Sequence, residues 1–124
     1  MIQCTAREFQ SLVDQAISEL PDDILGHLDN VAISIADWPS REERASAQVP
    51  HGQQLFGLYE GIPLTKRGAR YHMVTPDRII LYRGPLLAAY PSLPSLREGI
   101  RRTVVHEIAH HLGLDEARVR ELGY

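Results

Sequence analysis

The sequence predicts an α+β fold, in which a small mixed sheet of about three strands packs on a few helices. Three observations support this prediction. A helix with one apolar face opens the chain, two strand-like runs follow at Val31–Ala36 and Arg78–Arg83, and a long helix lies near the C-terminus at Leu96–Leu112. Because the helices and strands do not alternate regularly, the pattern favours a segregated layer fold over a parallel α/β fold.

The first helix has a clear beginning and a clear end. Thr5 and Glu8 form a capping box, in which each side chain can accept a hydrogen bond from the other's backbone N–H. Pro21 stops the helix because a proline lacks the N–H that a helix interior requires. The residues between them that form the buried face are Phe9, Leu12, Val13, Ala16, Ile17 and Leu20. Asp22–Leu28 then predicts a short helical turn.

The middle of the chain contains the predicted strands. Val31–Ala36 reads as the first, and the polar residues 41–54 that follow it are predicted to form a loop. Phe56–Tyr59 predicts a short strand or extended turn, with turns at Gly61, Pro63 and Gly68. Arg78–Arg83 is the clearest strand, ended by Gly84–Pro85 and followed by a helical turn over Leu86–Tyr90.

The last long helix has an apolar stripe and a polar face. Ser95 and Glu98 form a predicted capping box at its start, and Gly113 fits a left-handed cap at its end. The stripe recurs every four residues and comprises Ile100, Val104, Ile108 and Leu112. On a helical wheel His106 and His110 lie away from this stripe, so their imidazoles should face a cleft or solvent.

These two histidines belong to the run His106-Glu107-Ile108-Ala109-His110, which matches H-E-x-x-H. Imidazoles four residues apart on one helical face can both reach a single zinc ion. Glu107 lies about 100° around the helix, beside the metal, where it could take a proton from a metal-held water. The sequence therefore predicts His106 and His110 as zinc ligands and Glu107 as the catalytic general base.

A third ligand is expected just beyond Gly113, where two carboxylates lie side by side. Either Asp115 or Glu116 could bind zinc, and their chemistry alone does not choose between them. Asp115 also suits the N-cap of a short helix that runs to Leu122, with Gly123 after it. We therefore predict Glu116 as the ligand. His111 falls within the apolar stripe and is predicted to be packed or to support the metal site indirectly.

The chain resembles the small bacterial zincin-like metallopeptidase family, formerly a domain of unknown function, whose minimal metzincin-like members carry H-E-x-x-H-x-x-G-x-x-D. The matching segments are Leu58–Thr65, Pro76–Leu86 and Thr103–Gly123. The resemblance implies a zincin-like fold, zinc held by His106 and His110, and Glu107 as general base. The family's third-ligand Asp aligns with Glu116, which is a departure from the pattern.

The resemblance also implies how a substrate would bind. In zincins an edge strand above the active-site helix holds an extended peptide through main-chain hydrogen bonds. Arg78–Arg83 or the segment beside it is a candidate for that edge, and a buried core strand is the alternative interpretation. The residues considered for stabilising an oxyanion are Tyr59, Tyr71, His72, Tyr82 and Tyr124.

Composition limits the other classes of function. A chain of 124 residues with 44% hydrophobic content is expected to form a single domain over residues 1–124. Its net charge of −3 argues against nucleic acid as a partner, and Cys4 is its only cysteine, which rules out an internal disulfide. We expect a cytoplasmic protein because the sequence contains neither a membrane-length apolar run nor a signal peptide.

The sequence thus predicts a zinc-dependent hydrolase, specifically a peptidase acting on a peptide or protein substrate. Two alternatives remain at this stage. A non-catalytic metal-binding or interaction domain is one, because a carboxylate-rich site can be weak. A zinc-dependent RNA-processing hydrolase is the other, since bacterial rRNA-maturation enzymes carry a similar H-x-x-x-H-x-x-G-x-D-H run. Glu107 and Glu116 differ from the residues of that run, and the acidic balance disfavours RNA.

Overall fold

The computed structural model of the chain describes residues 3–61 and 77–124, and its elements are an α+β arrangement, as predicted. The described helices are α1 Ala6–Ser18, α2 Asp22–His27, α3 Arg41–Ser46, α4 Arg83–Ala89, α5 Leu93–Leu112 and α6 Glu116–Glu121. The described strands are β1 Val31–Ala36, β2 Gly57–Glu60 and β3 Asp77–Tyr82. The turns predicted at Pro63 and Gly68 lie outside the described residues.

The three strands form one sheet in the order β1-β3-β2. β3 pairs in parallel with β1, with Ile33 opposite Ile79, and antiparallel with β2, where Tyr59 lies opposite Ile79. β3 is therefore the central strand, which confirms the interpretation of Arg78–Arg83 as a buried core strand; as the peptide-binding edge this segment itself was wrong, and the segment beside it remains a candidate. The physical reason is the burial of β3, since Ile79–Tyr82 is buried on both faces as a central strand requires. Among the described strands, β2 is the edge beside α5.

The core has two parts, one on each face of the sheet. Ile79 and Leu81 of β3 face a large cluster with α1 and α5, whereas Ile80 and Tyr82 face a smaller cluster on the other side. This alternation follows from the two-residue period of a strand. Leu55 and Leu58 complete the smaller cluster, and Ala47 and Val49 from the end of α3 pack against it. The segment after β1 therefore covers the second face of the sheet.

The segment 41–54 differs from its prediction as a loop, because α3 forms its first half. The start signal was present in the sequence as a capping box. Ser40 Oγ accepts the Glu43 N–H at 3.0 Å, and Glu43 accepts the Ser40 N–H at 2.8 Å. Of the two capping boxes that the sequence predicted, the one formed by Thr5 and Glu8 is confirmed at the start of α1.

Both later helices begin before their predicted starts. α5 begins at Leu93 with Ser92 as its N-cap, not at Ser95, and Ser92 Oγ accepts the Ser95 N–H at 3.2 Å. Pro94 fits in this first turn because its missing N–H has no partner there in any helix. For the same reason Pro85 lies inside the first turn of α4, which starts at Arg83 and not at Leu86.

The apolar stripe of α5 is confirmed over three of its four positions. Ile100, Val104 and Ile108 are fully buried in the large cluster, whereas Leu112 is 39% exposed. Leu112 is the last residue of the helix. No helix in the described ranges is long and apolar enough to cross a membrane.

Candidate active site

The H-E-x-x-H motif lies in the C-terminal half of α5, on the side of the helix that faces β2. His106 and His110 are exposed, as predicted, while Glu107 between them is half-buried. Two hollows meet at this position. One of about 340 Å³ is lined by Glu107, His110 and His111, and the other, of about 310 Å³, by His106 and Glu107. Glu107 therefore lies where the two hollows join, with one histidine on each side of it.

The Glu107 carboxylate is held by the edge strand. Its Oε1 accepts the Tyr59 backbone N–H at 2.7 Å, and its side chain is only 19% exposed. Burial raises the pKa of Glu107 above its ordinary value, while the Tyr59 N–H and the nearby imidazoles act in the opposite direction. One carboxylate oxygen is thus fixed by β2, and the position of the group is defined before any substrate arrives.

The phase of the β2–β3 ladder explains why Tyr59 can make this bond. The Tyr82 N–H donates to the Phe56 carbonyl at 2.9 Å, which makes these two residues a hydrogen-bonded pair. In an antiparallel ladder such pairs alternate, so the main-chain groups of Gly57 and Tyr59 point away from β3. They point to the edge of β2 that no strand in the described residues pairs with, beside α5.

Gly57 brings this edge close to the helix. A Cβ at Gly57 would lie 2.7 Å from Thr103 Cγ2 of α5 and 3.2 Å from the Ile80 carbonyl oxygen. Real Cβ atoms do not approach other atoms so closely, and one of the two obstacles is backbone. The absence of a side chain at Gly57 therefore permits the spacing at which Glu107 reaches Tyr59.

Three rings line the wall of the larger hollow. The His111 imidazole stacks on the Tyr59 ring, with centroids 4.9 Å apart and planes 10° from parallel. The His110 ring lies 4.6 Å from that of His111, whose Nε2 is 4.0 Å from Glu107 Oε1. His111 was predicted to be packed or supporting, and it does support Tyr59 and Glu107. Its side chain is nevertheless 38% exposed, so the prediction that His111 belongs to the buried apolar stripe was wrong.

His106 is oriented by the last residue of the chain. Its Nε2 lies 3.1 Å from the Tyr124 carbonyl oxygen, which can only accept, so this contact needs a proton on Nε2. The Tyr124 ring in turn packs against the Arg102 guanidinium, 5.6 Å from its centroid. A neutral His106 with Nε2–H leaves Nδ1 unprotonated. Metal-ligating histidines commonly have this arrangement, with the other ring nitrogen donating to a carbonyl.

The two candidate third ligands differ in what they already bind. Gly113, at φ 73°, reverses the chain after α5 and starts the return towards the motif. Asp115 then caps α6, its Oδ1 accepting the Ala117 N–H at 2.9 Å, which confirms the predicted capping role. Glu116 is exposed, and its carboxylate has no partner in the described part of the chain. Arg118 anchors this short helix to α2 through two hydrogen bonds to Asp23, of 2.8 and 2.9 Å.

The residues fit a zinc ion by type, but they are not assembled around one point. Two imidazoles one helical turn apart and a carboxylate on the returning segment are the donors that zinc prefers. Within residues 3–61 and 77–124, however, no three His, Cys, Asp or Glu side chains lie close enough to hold one ion. Side-chain rotation of exposed groups such as His110 and Glu116 would be needed to close the set.

The candidates for oxyanion stabilisation differ in their location and in their contacts. Tyr82 is fully buried on the far face of the sheet, so that candidate is wrong. The Tyr59 hydroxyl donates to Asp77 Oδ2 at 2.6 Å, so this hydroxyl is held at the first residue of β3. Tyr124 contacts His106 through its carbonyl. Tyr71 and His72 lie outside the described residues.

Larger hollows exist elsewhere, but their chemistry is different. Hollows of about 540 and 690 Å³ meet at Gln3 and Cys4, beside the exposed Trp38 and Leu93. Burial is the largest cause that raises the pKa of the Cys4 thiol, which keeps it protonated and a poor nucleophile. Neither hollow contains a histidine, so the motif on α5 is the better candidate for a catalytic centre.

Comparisons with known proteins concern the family and the fold. The family model described as zincin-like metallopeptidase matches residues 28–124, which include β1 to β3 and the whole of α5 and α6. A conserved hypothetical protein from Thermus thermophilus has a similar structure, with a TM-score of 0.58 and 24% identity over 88% of this chain and 94% of that chain. At this identity the likeness concerns the fold alone. No curated protein matches the sequence significantly.

Proposed function

The chain belongs to the zincin-like metallopeptidase family, and from that premise we propose that it is a zinc-dependent peptidase with Glu107 as its general base. In this proposal His106 and His110 hold the zinc, and Glu116 completes the set. The substrate is a peptide or a protein segment in extended conformation. The observation that carries the proposal is the position of Glu107, fixed by the Tyr59 N–H between two exposed histidines.

Zinc, when bound, would supply Lewis acidity, polarising a peptide carbonyl and lowering the pKa of a water towards about 7. The chain's own part is to place the base. Glu107 Oε1 is held by Tyr59, which leaves Oε2 to accept a proton and later deliver it to the leaving amine. Its partial burial favours this role because a poorly solvated carboxylate is a stronger base than an exposed one.

In this proposal the substrate lies beside the base, at the edge of β2 that no described strand pairs with. The main-chain groups of Gly57 point to that edge, and an extended peptide can pair with such groups by strand addition. Tyr59 offers its N–H to Glu107 instead, so the peptide would pair at Gly57 and pass Glu107 on its way along the edge. This brings the peptide's main chain to the junction of the two hollows.

The proposed third ligand predicts different outcomes for two neighbouring substitutions. Glu116→Ala should weaken zinc binding by about 100-fold or more, because even the loss of a residue supporting a zinc ligand costs about 10- to 100-fold. Asp115→Ala should leave zinc affinity nearly unchanged and destabilise the protein by about 1 kcal/mol through loss of the α6 cap. Calorimetric zinc titration of both variants, with thermal unfolding beside it, checks this. Equal zinc affinities in the two would contradict the choice of Glu116, and the reverse order would favour Asp115.

The proposed activity is tested by combining metal analysis with a peptide-library assay. We expect one zinc per chain in the purified protein and cleavage of a fluorogenic peptide library. Chelator should abolish the cleavage and added zinc should restore it. A protein that binds no zinc under these conditions, or binds it and cleaves nothing, would instead support the non-catalytic alternative. That alternative is kept because no three donors are assembled in the described residues.

A further inference from the structure

The end of α3 contains a glutamine in an unusual backbone conformation. Gln48 has φ 57°, and it is the non-glycine residue with a positive φ among those described. The Val49 N–H donates to the Arg44 carbonyl and the Gln48 N–H to the Ala45 carbonyl, at 3.2 and 3.1 Å. These two bonds form a Schellman cap, in which the left-handed position usually belongs to glycine because a Cβ is unfavourable there. Gln48 thus has a side chain at a backbone position where glycine would be less strained.

Gln48 lies at the candidate active site. Gln48 lines the hollow of about 340 Å³ together with Glu107, His110 and His111. It is exposed, and its carboxamide has no partner in the described residues, so it contributes nothing visible to the cap itself. A polar group that lines the same hollow as the Glu107 carboxylate, and that has no partner in the described residues, is available to a ligand.

The remaining lining residues determine what kind of ligand fits. They are uncharged, with the buried Leu55 and Leu58 contributing apolar surface and Ser46, Ala47, Gly57 and Tyr59 completing the wall. Glu107 is the carboxylate of this hollow, and neither lysine nor arginine lines it. A charged side chain entering between Leu55 and Leu58 would lose hydration against apolar surface. In the proposed site the charge of a bound zinc would be balanced by Glu107 and Glu116, so neither sign of side chain would gain a net counter-ion there.

On the basis of the proposed peptidase function, we propose that this hollow is a substrate subsite for an uncharged side chain beside the cleaved bond, and that Gln48 is a substrate-binding residue. A carboxamide carries both a donor and an acceptor, which is the complement of a peptide group. Gln48 therefore binds the main chain of the peptide while an uncharged side chain enters between Leu55, Leu58 and Tyr59. The peptide is held from both sides, by Gln48 on one and by the β2 edge on the other.

The test measures peptide binding separately from hydrolysis. Glu107→Gln protein, kept metal-free with chelator, serves as the parent because it should hold a peptide without cleaving it, and because the uncharged wall of the hollow alone then discriminates between side chains. The probes are terminally blocked pentapeptides of alanine whose central residue is leucine, glutamine, lysine or glutamate, titrated while NMR amide shifts are followed. Gln48→Ala and Gln48→Gly are added to the parent. Gln53→Ala is the matched control, since it removes another exposed glutamine that lines neither hollow at the motif.

We expect the leucine and glutamine peptides to bind more tightly than the lysine and glutamate peptides, with shifts at Gln48 and around the motif. Both Gln48 variants should bind them about 3- to 10-fold more weakly, the effect of one lost hydrogen-bonding group, and the control should match the parent. Gln48→Gly should also unfold at an equal or higher temperature, because glycine relieves the left-handed position. Lower affinity with undiminished stability separates binding from a structural role.

Three results would overturn the assignment. They are unchanged affinity in both Gln48 variants, equal binding of charged and uncharged peptides, and no binding of any peptide by the parent. A wild-type protein that cleaves no library peptide would refute the peptidase proposal alone, because the binding experiment does not depend on turnover. The two proposals therefore fail by different observations.

Discussion

Glu107→Gln should bind zinc as the wild-type protein does and lose at least about 100-fold in peptide hydrolysis. General base catalysis contributes about 10²- to 10⁴-fold, and a carboxamide cannot accept the proton. Zinc binding should persist because Glu107 acts beside the metal ligands and is not one of them in the proposed site. The fold should persist as well, since the oxygen of the introduced carboxamide can still accept the Tyr59 N–H now bound by Oε1.

Glu42→Gln provides the matched control, because it removes the same charge at an exposed position. Glu42 lies in the first turn of α3 and lines neither hollow at the motif, so its loss of charge should leave hydrolysis unchanged. Metal analysis, turnover of a cleaved library peptide and thermal unfolding should be measured on all three proteins. If Glu107→Gln retains wild-type turnover, Glu107 is not the base. If its zinc is lost with its activity, Glu107 contributes to binding the metal.

Most of the described elements were predicted from signals such as capping boxes, β-branched runs and cap glycines. Each of these signals depends only on residues that are close together in the chain. The Thr5 capping box, the β-branched run of β1 and the left-handed Gly113 each correspond to an element of the structure. α3 was missed although its Ser40–Glu43 box is of the same kind as that of α1. Its helix is only six residues long and has no apolar periodicity, so the polar composition of the segment dominated the prediction.

The position of β3 could not be read from local pattern. A run of apolar residues such as Ile79–Tyr82 is compatible with an edge or a centre, and only pairing with both β1 and β2 makes it central. The same is true of the site. The motif identified His106, Glu107 and His110 by spacing, but the contact of Glu107 with Tyr59 joins residues 48 positions apart. Such contacts arise from packing α5 on the sheet, with Gly57 allowing the approach.

The role of Gln48 illustrates the same limit. The sequence shows a polar residue in a polar segment, which by itself indicates a solvated loop. Its place in the same hollow as Glu107 exists only once the end of α3 packs on the second face of the sheet. Residues that shape a substrate site from such a distance leave no spacing pattern in the chain.

His106→Ala and His110→Ala should each abolish stoichiometric zinc, with affinity at least about 100-fold below that of the wild-type protein. Removing either imidazole leaves two protein donors at most in the proposed set, fewer than zinc sites ordinarily use. Neither residue is buried, so both variants should fold. Zinc titration and elemental analysis of the purified variants measure the effect directly and do not require a substrate.

Two other histidines make the comparison specific. His27→Ala removes an exposed imidazole at the end of α2, away from the motif, and should leave zinc binding unchanged. His111→Ala removes the ring stacked on Tyr59, so it should keep the zinc while reducing hydrolysis through looser placement of Tyr59 and Glu107. Full zinc occupancy in His110→Ala would refute the proposed ligand set. Loss of zinc in His111→Ala would instead identify His111 as a ligand. The side chains of His110 and His111 point about 100° apart on the helix, so one cannot take the other's place at the ion.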